Sequence, residues 1–323
     1  MIQIAEILGN SRNILWDQVK QIGVDHAVTG LAPSEANENG WDYMPMLRMR
    51  NAFNDAGLEI SVIESAPPMN CIKLGIDGKE KEFDNIFTFI ENMGRVGIKT
   101  WCYNWMAVLN WTRTSSTIPS RGGAMVTGYN HTMMDQAPLT QVGEVPESRL
   151  WETLHEFLER VTPVAEQYGV EMAMHPDDPP LSPLRGIGRI MRSLENYQTL
   201  LDMVPSPMNG ITFCQGNFGL MTEDQPTAIR HFGFQNKIFF VHFRDVRGHV
   251  ENYIETFHDD GPTDMYACLQ AYKEIGFNGV LRPDHVPTLS GEENDHPGYS
   301  SLCRLYAVGY IRGLREAVYH ESQ

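Results

Sequence analysis

Short apolar runs recur along the chain, each too brief for a helix and bounded by turn residues, the mark of buried strands. QIAEI near residue 3, DHAVTG near 25, LEISVIES near 58, IKTWCYNW near 98, VEMAMH near 170, GITFCQ near 210, KIFFVHF near 237 and GVLRPDH near 279 make eight such runs. Between most of them apolar residues return at three- and four-residue spacing, as in MLRMRNAFNDAG, FDNIFTFIENMGRVG, LWETLHEFLERVTPVAEQYG and AIRHFGFQ. Several of these stretches end in glycine, as helix C-termini do. Strand and helix alternating eight times predicts an α/β chain closed into a (β/α)8 TIM barrel.

No Gly/Ser linker, low-complexity tract or shift of composition divides the chain, so residues 1–323 are expected to form a single barrel domain. One connection breaks the rule that such linkers are short. It runs from about residue 106 to 148 and follows the fourth strand, on the face where barrels build their sites. A lid or binding loop is the expectation there.

Composition narrows the class of function. With 42% hydrophobic and 20% charged residues the chain is globular, and no apolar run approaches the roughly 18 residues that read as a membrane span. The start, MIQIAEILGN, lacks a secretory signal, and five cysteines without regular spacing do not read as a disulfide framework. A cytoplasmic protein is expected. The formal net charge of −16 argues against nucleic acid as a partner, because no basic footprint is available to neutralise phosphates. An anionic small molecule would have to be met locally by arginines, lysines or a bound cation, against the field of the whole protein.

The candidate chemistry sits at strand ends. His175 closes the fifth run, Cys214 the sixth, His242 the seventh and Asp284 the eighth. In a parallel barrel those ends converge on one mouth, and two imidazoles, a thiolate and a carboxylate suffice for a divalent metal. The thiolate favours zinc or iron and the carboxylate suits manganese. His285, next to Asp284, and Tyr299, fourteen residues later at the start of the final helix, are of the types that move protons. Asp177 beside His175, together with Arg113, Arg244, His258 and Arg282, is expected to meet a hydroxyl-rich or anionic substrate.

The motifs on which these residues lie resemble those of the D-mannonate dehydratases of the xylose-isomerase-like barrel group. The resembling stretches are VIESAP (62–67), CYNWMAVLNWTRT (102–114), MAMHPDDPP (172–180), the strand ending at Cys214, VHFRD (241–245), TFHDDGPTDMY (256–266), LRPDH (281–285) and HPGYSSLCRL (296–305). The resemblance implies metal ligands at His175, Cys214, His242 and Asp284 and catalytic groups at His285 and Tyr299. It also implies Mn2+, with Fe2+, Co2+ or Zn2+ as substitutes, and conversion of mannonate to 2-keto-3-deoxygluconate. The expected partner is a small sugar acid, and a homodimer or higher homo-oligomer is expected because barrels of this kind often pair. The chain departs from the family pattern after VIES, where it reads PPMNCIK, after Cys214, where it reads QGNFGL, and after RPDH, where it reads VPTL. The family's long helical insertion is also reduced. These departures keep a metal-dependent sugar isomerase or epimerase on the same barrel as the alternative.

Overall fold

In the computed structural model, which describes residues 1–134 and 136–320, the strands follow one another as β1 (Gln3–Ile7), β2 (His26–Thr29), β3 (Glu59–Ile63), β4 (Thr100–Asn104), β5 (Ser115–Pro119), β6 (Met125–Asn130), β7 (Glu171–His175), β8 (Asn209–Cys214), β9 (Ile238–Phe243), β10 (Val246–His249), β11 (Asn252–Glu255) and β12 (Val280–Pro283). The eight expected runs are β1 to β4, β7 to β9 and β12. They close a parallel barrel in the order β1-β12-β9-β8-β7-β4-β3-β2.

Burial on both faces explains why these runs read as continuously apolar. Along β7, Ala173 points into the barrel, where it meets Val62, Cys102 and Phe240. Met172 and Met174, on the other face, pack under the surrounding helices with Phe157, Leu158 and Phe213. The helix Lys79–Val96 stops at Gly97 (φ 80°) and the helix Glu147–Tyr168 at Gly169 (φ 66°), left-handed positions where a side chain would be strained. These are glycine stops of the kind expected from sequence.

A second sheet lies beyond the barrel. It is antiparallel, in the order β10-β11-β6-β5, and joins two separate excursions. β5 and β6 come from the long connection after β4, whereas β10 and β11 come from the connection after β9. Register fixes Tyr253 of β11 opposite Tyr129 of β6. The connection after β4 thus contributes two strands, β5 and β6, to this second sheet. Among the described residues no helix is long and apolar enough to cross a membrane, and all five cysteines are free.

Candidate active site

Strand register brings the proposed ligands side by side. His175 lies level with Asn104 across β7 and β4, and Cys214 lies level with His242 across β8 and β9. Asp284 immediately follows β12, and its amide donates to the carbonyl of Phe243 (3.0 Å). The ligand atoms of His175, Cys214 and His242 all lie within 4.8 Å of one another. His175 Nε2 is 3.2 Å from His242 Nδ1, which is 3.5 Å from Asp284 Oδ2, and that oxygen is 4.0 Å from Cys214 Sγ.

The electrostatics of this cluster suit a cation. Burial opposes ionisation of Cys214, but Arg244, 3.6 Å away, and hydrogen bonds with His175 and His242 outweigh it and bring the thiol down to about 5. Burial also opposes the charge on Asp284, and His285, Arg282 and His242 hold it well below the usual carboxylate range. At His242, burial and Arg282 disfavour positive charge, yet Glu64 and Asp284 prevail and raise its pKa. Positive charge is therefore favoured at this point, and the donor set of two imidazoles, a thiol that ionises readily and a carboxylate fits a divalent metal. A neighbouring group, Glu64, Cys102 and His242, is less suited. Burial pushes the Cys102 thiol up, and Glu64 already holds Arg282 through two hydrogen bonds of 2.8 and 3.0 Å.

His285 and Tyr299 stand beside the cluster. The His285 backbone has a φ of 37°, which L residues adopt only where the surroundings enforce it. Its ring meets Tyr299 edge-on at 5.3 Å and faces Trp111 at the same distance. The Tyr299 hydroxyl donates to Asp284 Oδ1 (3.4 Å), and burial together with the Asp284 charge raises its pKa. These groups line a cavity of about 490 Å³, which is room for a six-carbon acid.

The five groups expected on the substrate are placed differently. None of Arg113, Asp177, Arg244, His258 and Arg282 belongs to the cavity lining. Each is instead held by protein partners. Arg113 spans Asp178 (2.7 and 2.9 Å) and Glu255 (2.8 Å). Arg244, fully buried, holds Glu255 (2.7 and 2.9 Å), Asp178 (2.9 Å) and Asn217 (2.9 Å). Arg282 bridges Glu64 and Asp284 (2.9 Å). Asp177 accepts from the Met191 amide (2.7 Å) and pairs with Arg189 (3.6 Å). His258 contacts the Asp284 carbonyl (3.1 Å) from behind, and burial lowers its pKa.

Sequence reasoning missed several residues. Glu64 and Asn104 line the cavity just past the ends of β3 and at the end of β4, and a polar residue closing an apolar run was the signal available for both. Lys73 lines it from the short helix Asn70–Leu74, and Trp111 from the long connection. Glu255, on β11, faces His285 Nδ1 at 3.1 Å. Nothing local in the sequence marks Lys73 or Glu255.

Comparison with known proteins places the chain in a context. The family model for D-mannonate dehydratase (UxuA) matches residues 1–142 and 137–323. A mannonate dehydratase of Thermotoga maritima is 33% identical over 94% of each chain, and mannonate dehydratase 2 of Halalkalibacterium halodurans is 33% identical over 96% of this chain and 97% of its own. The former alignment runs over 341 positions, more than this chain has residues, so the relative carries insertions. The crystal structure of mannonate dehydratase from Streptococcus suis serotype 2 superposes with a TM-score of 0.91 at 30% identity, covering 99% of this chain and 94% of that one. An L-ribulose 3-epimerase shares the barrel (TM-score 0.64) at 14% identity, covering 100% of this chain and 97% of that one.

Proposed function

The chain belongs to the D-mannonate dehydratase family of hydro-lyases, and from that premise we propose that it removes water from D-mannonate to give 2-keto-3-deoxy-D-gluconate with the help of a bound divalent cation. The observation that carries the reading is the convergence of His175 Nε2, Cys214 Sγ, His242 Nδ1 and Asp284 Oδ2 beside His285 and Tyr299. The hydrogen on C2 of an aldonate is a poor acid, because its removal adds charge next to a carboxylate that is already negative. A divalent ion supplies Lewis-acid stabilisation of that charge. Mn2+ is the proposed ion, and the thiolate ligand makes Fe2+, Co2+ and Zn2+ acceptable substitutes.

The rest is the work of side chains. His285 and Tyr299 share two proton transfers: one group takes the C2 proton and the other returns a proton to the departing 3-hydroxyl. Glu255 and Trp111 fix the plane of the His285 ring from two sides. Arg244 favours the thiolate form of Cys214, and Arg282 holds Asp284 at the cluster. Arg113, Asp177, Arg244, His258 and Arg282 are assigned to positioning this machinery and not to touching substrate. A cytoplasmic setting belongs to the same proposal, and the five free cysteines are compatible with it.

The test is a 2-keto-3-deoxy acid assay on protein stripped of metal and reloaded with manganese, with D-mannonate beside a panel of other aldonates. Keto acid from D-mannonate, only when metal is present, is the expected result. No keto acid from any aldonate would overturn the reading.

A further inference from the structure

The lining of the cavity that is to take an aldonate includes one cation whose hydrogen-bond partners are both neutral. Lys73 is the only lysine or arginine among the described residues that line it. The side chain is nearly enclosed, with 8% exposure. Its position is set from outside the cavity: the hydroxyl of Thr153 donates to the Lys73 carbonyl (2.8 Å), and the carboxylate of Glu82 accepts from the Ile72 amide (2.9 Å). The ammonium donates to Asn104 Oδ1 and to the Met106 carbonyl, both at 3.2 Å. An ammonium has three protons, so one is left over, and neither acceptor carries a formal charge.

Burying a cation without an anion is costly, and proteins pair such charges or leave them for a ligand. The acidic groups that act on Lys73 from a distance, Asp177 and Glu82, are committed to Arg189 and to the Ile72 amide. The arginines expected to receive an anion are likewise bound to Asp178, Glu255, Glu64 and Asp284. Among the described lysines and arginines, Lys73 alone lines the cavity, and no salt bridge holds it.

Resting on the dehydratase reading, we propose that Lys73 binds the carboxylate of the sugar acid, its Nζ donating the remaining proton to a carboxylate oxygen. Lys73 is then what makes this cavity select an acid over the neutral sugars that enter other barrels of this shape. Burial, the largest influence on it, lowers the ammonium to about 8, so it is still mostly charged at neutral pH and gains a counter-ion when an anion arrives. Asn104, level with His175 in the sheet, ties this anchor to the strand that carries a proposed metal ligand.

The experiment compares binding of D-mannonate with that of its neutral amide, D-mannonamide, to manganese-loaded protein. It is done in the Tyr299→Phe background, so that the acid is not consumed. Lys73→Met is expected to weaken D-mannonate tenfold or more and the amide less than threefold, with manganese content unchanged. Lys73→Gln, which keeps a donor for Asn104, is expected to show the same selective loss and serves if the Met variant does not fold. D-mannonate binding within threefold of the parent, or equal losses for acid and amide, would overturn the proposal. The two readings separate cleanly. A protein that makes no keto acid yet binds another aldonate in a Lys73-dependent way loses the substrate assignment and keeps the carboxylate contact.

Discussion

Glu255 sits on a strand outside the barrel, yet it holds Arg244, Arg113 and His285 together. Burial, the largest influence, disfavours its charge, but Arg244, His285 and Arg113 bring the carboxyl down to about 2 from an ordinary 4.5. Glu255→Gln leaves two buried guanidiniums short of charge, and a loss of about 3 kcal/mol in chemical denaturation is expected. Turnover should fall by roughly a hundredfold or more, since a small displacement of a catalytic group is that costly. The sign with pH follows from linkage. A carboxyl depressed in the folded state stabilises fully above the unfolded value and loses that contribution as pH falls through the folded one. The gap in stability between parent and Glu255→Gln should therefore shrink between about pH 4.5 and pH 2, and a constant gap would count against the ion pairs. Tyr299→Phe has a different expectation, namely loss of turnover with metal content and folding unchanged. Activity near that of the parent would remove Tyr299 from the chemistry. The strand-end residues were legible in sequence because polarity appears abruptly after an apolar run, as at His175 and His242. The arginine roles were not, because a guanidinium declares its partner only in three dimensions: Arg113 and Glu255 lie 142 positions apart.

At the level of elements, the turn after β8 shows how backbone places a charge. Gly216 leaves the space that Arg244 occupies; a Cβ there would meet Arg244 Cδ and Nε at 2.7 Å. Arg244 cannot retreat while Glu255 and Asp178 hold it. Gly216→Ala is expected to destabilise by about 1–3 kcal/mol through overpacking, and to reduce kcat/KM at least tenfold by moving Arg244 away from Cys214. Gly309→Ala, where an added Cβ meets nothing within 4 Å, is the control and should leave both within error of the parent or slightly raise Tm. Thermal melts and steady-state kinetics on the two variants decide the matter. The barrel strands were readable as elements because they are buried on both faces and hence uniformly apolar. The four strands of the outer sheet were not. SSTIP and VRGH are mostly polar and open to solvent, and they are strands only because a partner lies alongside. β6 and β11 pair residues separated by more than a hundred positions, as with Tyr129 and Tyr253, and no local pattern announces such a pairing.

For the molecule as a whole, the proposed metal would be coupled to the fold. A cation that binds the folded chain and not the unfolded one stabilises by about 2.7 kcal/mol at a free concentration a hundred times its Kd. Chelation is expected to lower Tm by several degrees and readdition of Mn2+ to restore it, whereas His175→Ala protein should melt at one temperature under both conditions. Equal chelator sensitivity in parent and variant would place the ion elsewhere. The outer sheet bears on engineering. Its strand order β10-β11-β6-β5 stitches the excursion after β4 to the one after β9, so that Glu255 on one meets Arg113 on the other. A designer who transplants either excursion alone from a relative, in the hope of changing which acid is accepted, will sever that seam and strand a buried charge. The unit of exchange in this scaffold is the pair of excursions, and a natural lineage drifting toward a new substrate meets the same constraint.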